Sequence, residues 1–132
     1  MPFTRQILAD GLEAVRSWGH EGTPFDGVFT DTRSHVPGGL FFALSGPNHD
    51  AHDYLAQALE SGASGLVISR EDKLPEGLSS DTFVAVVPDT RRALGRLGSM
   101  VRSRLGGPVI AVTGSVGKTT VKDMAVSALR AF

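Results

Sequence analysis

The sequence predicts an α/β fold: a small mixed-sheet amino-terminal domain with helices, followed by the first strand, P-loop and helix of a truncated P-loop ATPase domain. Three observations carry that expectation. Short apolar runs alternate with stretches whose apolar residues recur at helical spacing, the pattern of strands covered by helices. Gly, Pro, Asn and Asp punctuate the junctions. Towards the carboxy end, Gly107-Pro108-Val109-Ile110-Ala111-Val112-Thr113 runs directly into Gly114-Ser115-Val116-Gly117-Lys118-Thr119-Thr120, a buried-strand pattern opening into a phosphate-binding-loop pattern.

Thr4 is placed to cap a short helix through Ala9, with Ile7 and Leu8 facing inward and Gly11 ending it. Leu12 to Trp18 alternates loosely as a strand does, although Glu13 and Arg16 also suit a helix. Gly19 to Pro24 is turn chemistry, and Phe25 to Thr30 reads as a strand. Val36-Pro37-Gly38-Gly39 is a tight turn, and Leu40-Phe41-Phe42-Ala43-Leu44 is a continuous apolar strand. A helix is expected from about Ala51 to Ser61, with Tyr54, Leu55, Ala58 and Leu59 inward and Gly62 as its C-cap. Gly65 to Ser69 and Phe83 to Val87 are further apolar strands, separated by a charged surface connection over 70–81. Pro88-Asp89-Thr90 begins a helix to about Leu105. Its expected buried stripe is Leu94, Leu97, Gly98 and Val101, with Arg91, Arg92, Arg96, Arg102 and Arg104 over a solvated face. Gly106-Gly107-Pro108 is the best boundary available, dividing the chain into domains at 1–105 and 106–132. After the loop, Val121, Met124, Ala125, Ala128 and Leu129 recur at helical spacing.

Three stretches carry candidate chemistry. Asp31-Thr32-Arg33 is a polar cluster at a strand end, read either as a binding turn or as an ion pair closing that turn. Ser45-Gly46-Pro47-Asn48-His49-Asp50-Ala51-His52 leaves a buried strand and gathers hydrogen-bonding groups. His49, Asp50 and His52 in it read as metal ligands, or else Asp50 caps the next helix while the histidines lie at the surface. In the third, glycines at 114 and 117 let backbone N–H groups turn inward, so that a polyphosphate fits against a helix N-terminus. Lys118 supplies a movable charge for the phosphates and the Thr119 hydroxyl suits Mg²⁺. Val112 stands where a strict Walker pattern has its first glycine.

Composition narrows the classes. The 132 residues are 41% hydrophobic and 20% charged, with 13 basic and 14 acidic side chains, which is not the electrostatic footprint of a nucleic-acid binder. The absence of cysteine removes disulfides, thiolate metal sites and cysteine nucleophiles together. No apolar run is long enough to insert into a membrane, and the start Met1-Pro2-Phe3-Thr4-Arg5 has no signal-peptide pattern, so a cytoplasmic location is expected.

Taken together, these stretches resemble the amino-terminal part of a Mur ligase, an ATP-dependent enzyme of bacterial peptidoglycan synthesis. Thr30-Asp31-Thr32-Arg33, Pro37-Gly38, Leu40-Phe41, Ala43-Leu44, Gly46, Asp50, His52 and Gly62-Ala63 are similar to that family's uridine-nucleotide-binding domain, and Thr113 to Thr120 to its ATP loop. Lys122 and Met124 favour the member that joins D-alanyl-D-alanine to UDP-N-acetylmuramoyl-tripeptide through an acyl phosphate. The related ligase that adds the third amino acid, and a stand-alone UDP-sugar-binding module, are the alternatives. The resemblance implies that Thr30 and Thr32 border the uracil while Asp31 and Arg33 fix that turn. It implies that Gly46, Pro47, Asn48 and His49 line the nucleotide, with Asp50 and His52 holding their loop in shape. It gives Gly114, Ser115, Val116, Gly117, Lys118, Thr119 and Thr120 to ATP, with Lys118 catalytic on the phosphates and Thr119 on Mg²⁺. The rest of the family's central domain and its carboxy-terminal domain lie outside these 132 residues, so the chain alone is expected to bind the UDP moiety without catalysing. Its trailing strand and helix are expected to expose apolar faces and to favour self-association.

Overall fold

The structure, a computed structural model, describes residues 3–19, 21 and 24–131. Half of the turn expected over 19–24, residues 20, 22 and 23, lies outside the described residues. Helix α1, Arg5–Gly11, begins where Thr4 Oγ1 accepts the Ile7 N–H at 3.3 Å. It runs two residues beyond the expected Ala9, and it buries Leu8 and Ala9 while Ile7 stays exposed. The Leu12–Trp18 segment resolves into two parts. Leu12 caps α1, Glu13 takes a left-handed φ of 55°, and only Arg16–Trp18 forms a strand, β1.

The apolar runs become β2 (Val28–Phe29), β3 (Leu40–Phe42), β4 (Gly65–Ile68) and β5 (Phe83–Val86). The sheet order is β1-β5-β4-β3-β2, with β2 to β5 mutually parallel and β1 antiparallel to β5. The sheet is therefore mixed, as expected, but its outer members are shorter than the sequence pattern suggested. β2 has one neighbour, and its ladder holds only two residues, Val28 opposite Leu40 and Phe29 opposite Phe41.

Every residue of β3, β4 and β5 is buried, because helices cover both faces. Leu40, Phe42, Val67, Phe83 and Ala85 point to one side, where they meet Phe3, Leu8, Leu12, Ala93 and Leu97. Phe41, Leu66, Ile68, Val84 and Val86 point to the other, against Leu55 and Ala58 of helix α2, Leu55–Glu60. Helix α3, Thr90–Arg104, is capped by Asp89, whose carboxylate accepts from the Arg91 and Arg92 N–H groups. Its inward residues are Thr90, Ala93 and Leu97, whereas Gly98, expected in that stripe, is exposed. Of its arginines, Arg96 is half-buried and pairs with Glu13 at 2.6 Å, and Arg104 lies 4.0 Å over the Phe3 ring. A Cβ on Gly11 would stand 2.3 Å from the Met100 sulfur, so where α1 crosses α3 a side chain there would have to push the flexible Met100 thioether aside.

The helix expected over 51–61 is also divided. Ala51–Tyr54 is a 3-10 turn and α2 starts only at Leu55. With three residues per turn instead of 3.6, the first turn shifts phase, and Tyr54, expected inward, is 47% exposed.

Beyond α3 the strand expected before Thr113 does not form. No ladder pairs 108–113 among the described residues, and Val109 and Ile110 are 59% and 71% exposed. A strand takes its hydrogen bonds from a neighbour, whereas a helix makes its own. Accordingly α4, Lys118–Arg130, is formed although it buries no residue, and Val121, Met124 and Leu129 lie open. No helix among the described residues is long and apolar enough to cross a membrane.

Candidate functional site

The parallel strands β2 and β3 deliver two loops to their carboxyl ends, the end at which open α/β sheets bind ligands. In the first loop Asp31 caps a 3-10 turn, Thr32–Ser34, by accepting the Arg33 N–H at 2.9 Å. The Arg33 guanidinium folds back onto the same carboxylate, with Nε at 3.0 Å and Nη2 at 2.6 Å. Those bonds from the Arg33 side chain and backbone hold the Asp31 carboxyl down at about 2 and raise Arg33 in turn. The pair thus closes the turn, with Thr30 and Thr32 as uncharged polar side chains on either side of Asp31.

The second loop is pinned at its root. Ser45 and Asp50 form an antiparallel bridge, the Gly46 N–H donates to the His49 carbonyl at 2.7 Å, and Ser45 Oγ donates to Asp50 Oδ1 at 2.9 Å. Asp50 then caps the Ala51–Tyr54 turn by accepting the His52 N–H at 3.0 Å. His52 is 1% exposed and both ring nitrogens are used. Nε2 accepts the Ser69 N–H at 3.0 Å, which requires the proton on Nδ1, and Nδ1 donates to Asp50 at 2.5 Å. Arg70 completes the network, 3.0 Å from the other Asp50 oxygen. Burial pushes the Asp50 carboxyl up. Hydrogen bonds from the His52 backbone and ring, Ser45 and Arg70 more than offset this and hold it well below the usual carboxylate range. The network ties the loop after β3 to the end of β4.

Between the two loops lies a cleft of about 520 Å³. Thr30, Asp31, Thr32 and Arg33 line one side, and His49 with Ala51, Tyr54 and Gln57 the other, over Phe41 and Leu44. The structure therefore brings together Thr30 to Arg33 and His49 from the predicted set. Gly46, Pro47 and Asn48 are on the same loop but do not line the cleft, and Asp50 and His52 stand behind it as braces. The metal reading of His49, Asp50 and His52 is corrected by this geometry: His52 has no free lone pair, and the described residues contain no group of three or more His, Cys, Asp or Glu placed to hold an ion. The expectation that both histidines lie at the surface holds for His49 and fails for His52. Sequence reasoning missed Tyr54 and Gln57 as cleft residues; their spacing of three on the helix leaving the loop was the available signal.

In the last stretch Gly117 adopts φ 81° and precedes α4 with no side-chain cap, and Gly114 has φ 153°. Neither residue could carry a side chain without strain there. Lys118 Nζ donates back to the Gly114 carbonyl at 2.5 Å, and the whole stretch is exposed.

No protein-family model matches the chain. Curated relatives do. It is 44% identical over 123 residues to the UDP-N-acetylmuramoyl-tripeptide–D-alanyl-D-alanine ligase of Haemophilus influenzae and 45% identical over 104 residues to that of Escherichia coli, matching 93% and 79% of this chain. The structure of the same enzyme, MurF, from Acinetobacter baumannii aligns with 100% of the chain at a TM-score of 0.77 and 34% identity. The chain matches an amino-terminal Mur ligase region. It spans about a quarter of those relatives, 26% and 22% of the two enzymes and 28% of the solved structure. The MurF ligase of Thermotoga maritima, solved in complex with ADP, aligns with 78% of this chain at a TM-score of 0.61 and 28% identity. A Geobacter sulfurreducens ligase named for 2,6-diaminopimelate addition is 38% identical over 115 residues, covering 86% of this chain and 22% of that enzyme.

Proposed function

We propose that residues 1–105 are the UDP-sugar substrate-binding domain, and residues 106–132 the start of the ATP-binding domain, of a longer cytoplasmic ligase that joins D-alanyl-D-alanine to UDP-N-acetylmuramoyl-tripeptide via an acyl phosphate. The observation that carries the reading is the cleft between the β2 and β3 loops, whose walls include Thr30, Thr32 and His49 and whose second loop is braced by the Asp50–His52 pair. Thr30 and Thr32 border the uracil, the Asp31–Arg33 pair fixes their turn, and Gly46, Pro47, Asn48 and His49 follow the nucleotide towards its sugar and phosphates.

The loop at 114–120 fits a polyphosphate. Gly117 in the left-handed region leaves the first N–H groups of α4 without a side-chain cap, and a Cβ there would meet nothing within 4 Å. Gly114, Ser115, Val116, Gly117, Lys118, Thr119 and Thr120 would hold ATP, Lys118 by its charge and Thr119 through Mg²⁺. Bound there, ATP supplies the phosphoryl group that activates the substrate carboxylate. Lys118 first has to leave the Gly114 carbonyl, after which its ammonium neutralises phosphate charge. This chain alone binds the UDP moiety and does not ligate. The apolar residues open on α4, Val121, Met124 and Leu129, give it a surface for self-association. A second reading, the ligase that adds the third amino acid, is favoured by the 38% identity to the diaminopimelate-adding relative.

Thr32→Ala and Asn48→Ala are each expected to weaken UDP-substrate binding by about 1 kcal/mol or more, the scale of a lost hydrogen bond. Calorimetric titration of the two variants checks this. Unchanged affinity in both places the nucleotide elsewhere.

A further inference from the structure

We propose that Tyr54 and Gln57 form the base-reading wall of the cleft, the Tyr54 ring stacking on the pyrimidine and the Gln57 amide hydrogen-bonding its edge. The assignment rests on the cleft being the uridine-nucleotide site. Tyr54 stands where the 3-10 turn hands over to α2, half-exposed and lining the cleft, and Gln57 follows one turn later on the exposed side of α2. Leu55 and Ala58, between and beside them, are buried against the sheet, so the backbone that carries the pair is fixed. Tyr54 and Arg33 line the same cleft, Tyr54 from the side of α2 and Arg33 from the first loop. Neither the Tyr54 hydroxyl nor the Gln57 side-chain amide has a hydrogen-bond partner among the described residues. The charged groups opposite, Asp31 and Arg33, are by contrast spent on each other.

A half-exposed aromatic ring over an apolar floor, with an unengaged amide three residues on, matches a ligand that is flat and apolar on its face and polar at its edge. A nucleobase is such a ligand, and base–aromatic stacking is effective whichever base is present. Uracil offers a donor, N3–H, between two carbonyl acceptors. A glutamine amide carries one acceptor and a donor group, so it meets N3–H and one neighbouring carbonyl together. The two contacts are separable by chemistry, because one uses the face of the base and the other its edge.

The test titrates the 132-residue chain with UMP, with 5,6-dihydro-UMP, whose saturated ring keeps the polar edge but loses its flat π face, and with N3-methyl-UMP, which keeps the face but loses the donor. Wild type is expected to prefer UMP over the dihydro form by about 10-fold and over the methyl form by about 5-fold. Tyr54→Ala is expected to collapse the first ratio towards unity and leave the second. Gln57→Ala is expected to do the reverse. Both side chains are exposed, and circular dichroism of each variant confirms the fold. Ratios that survive unchanged in both variants overturn the assignment while leaving the cleft as the nucleotide site. Absence of UMP and UDP binding to the folded wild type overturns the nucleotide reading itself, and this assignment with it.

Discussion

His52→Ala is expected to lower the stability of the domain by about 3 kcal/mol, because it combines a cavity with a lost hydrogen-bond acceptor. The imidazole is 1% exposed, so little of the space it leaves can be filled by solvent without reorganising the loop. The Ser69 N–H loses its acceptor, and Asp50 loses the ring donor while retaining Arg70 and the backbone. Thermal melting should register a fall on the order of 10 °C or more for a domain of this size. His52→Gln, whose amide oxygen reaches the Nε2 position, should recover part of the loss. His52→Asn, which is too short to reach Ser69, should recover less. A melting temperature for His52→Ala close to wild type would mean that the loop is held by something other than this network. Acid should act on the same bonds. The Asp50 carboxyl is depressed in the folded chain relative to its ordinary 3.8, so the unfolded chain takes up the proton first as pH falls. The stability that the ionised Asp50 carboxylate contributes is therefore fully present above about pH 4 and drains away below it, and His52→Ala, which removes one of its donors, should show a shallower acid loss than wild type over that range.

If the parent protein is the ligase proposed above, Lys118→Ala in its full-length form is expected to abolish ligation and to leave UDP-substrate binding unchanged. The lysine is the cation of the 114–120 loop, and phosphoryl transfer is mostly positioning and neutralisation of phosphate charge, so a loss of several orders of magnitude in turnover follows from its removal. The cleft residues belong to the β2 and β3 loops and to α2, and none comes from the last stretch, which is why binding should survive. Parallel turnover and titration measurements on one preparation check both halves. Simultaneous loss of ligation and substrate binding would show that the two sites are not separable.

How much of this was legible in the sequence depended on where each residue draws its interactions. β3, β4 and β5 were plain because strands covered on both faces are continuous apolar runs, and α3 was plain because Asp89 caps it at the start of an amphipathic stretch. The edge strands were overextended, since apolar pattern records burial, whereas ladder length depends on the neighbour. β2 stops after Phe29, and Val109 to Thr113 has the composition of a strand without one among the described residues. The two cleft loops were marked by Asp31-Thr32-Arg33 and by the polar run after Leu44. The reason His52 is buried was not visible, because it lies in a long-range bond to Ser69, 17 residues away. Tyr54 was assigned to the wrong face because an α-helical phase was carried back into a 3-10 turn.

Isothermal titration of the 132-residue chain with UDP-N-acetylmuramoyl-tripeptide, with UMP and ATP as comparison ligands, bears most directly on residues 1–105 being a self-sufficient uridine-nucleotide module. The expected result is clear binding of the tripeptide nucleotide, weaker binding of UMP and little or none of ATP, because the 114–120 loop is exposed and α4 buries none of its residues. A folded chain silent towards both uridine nucleotides would contradict it.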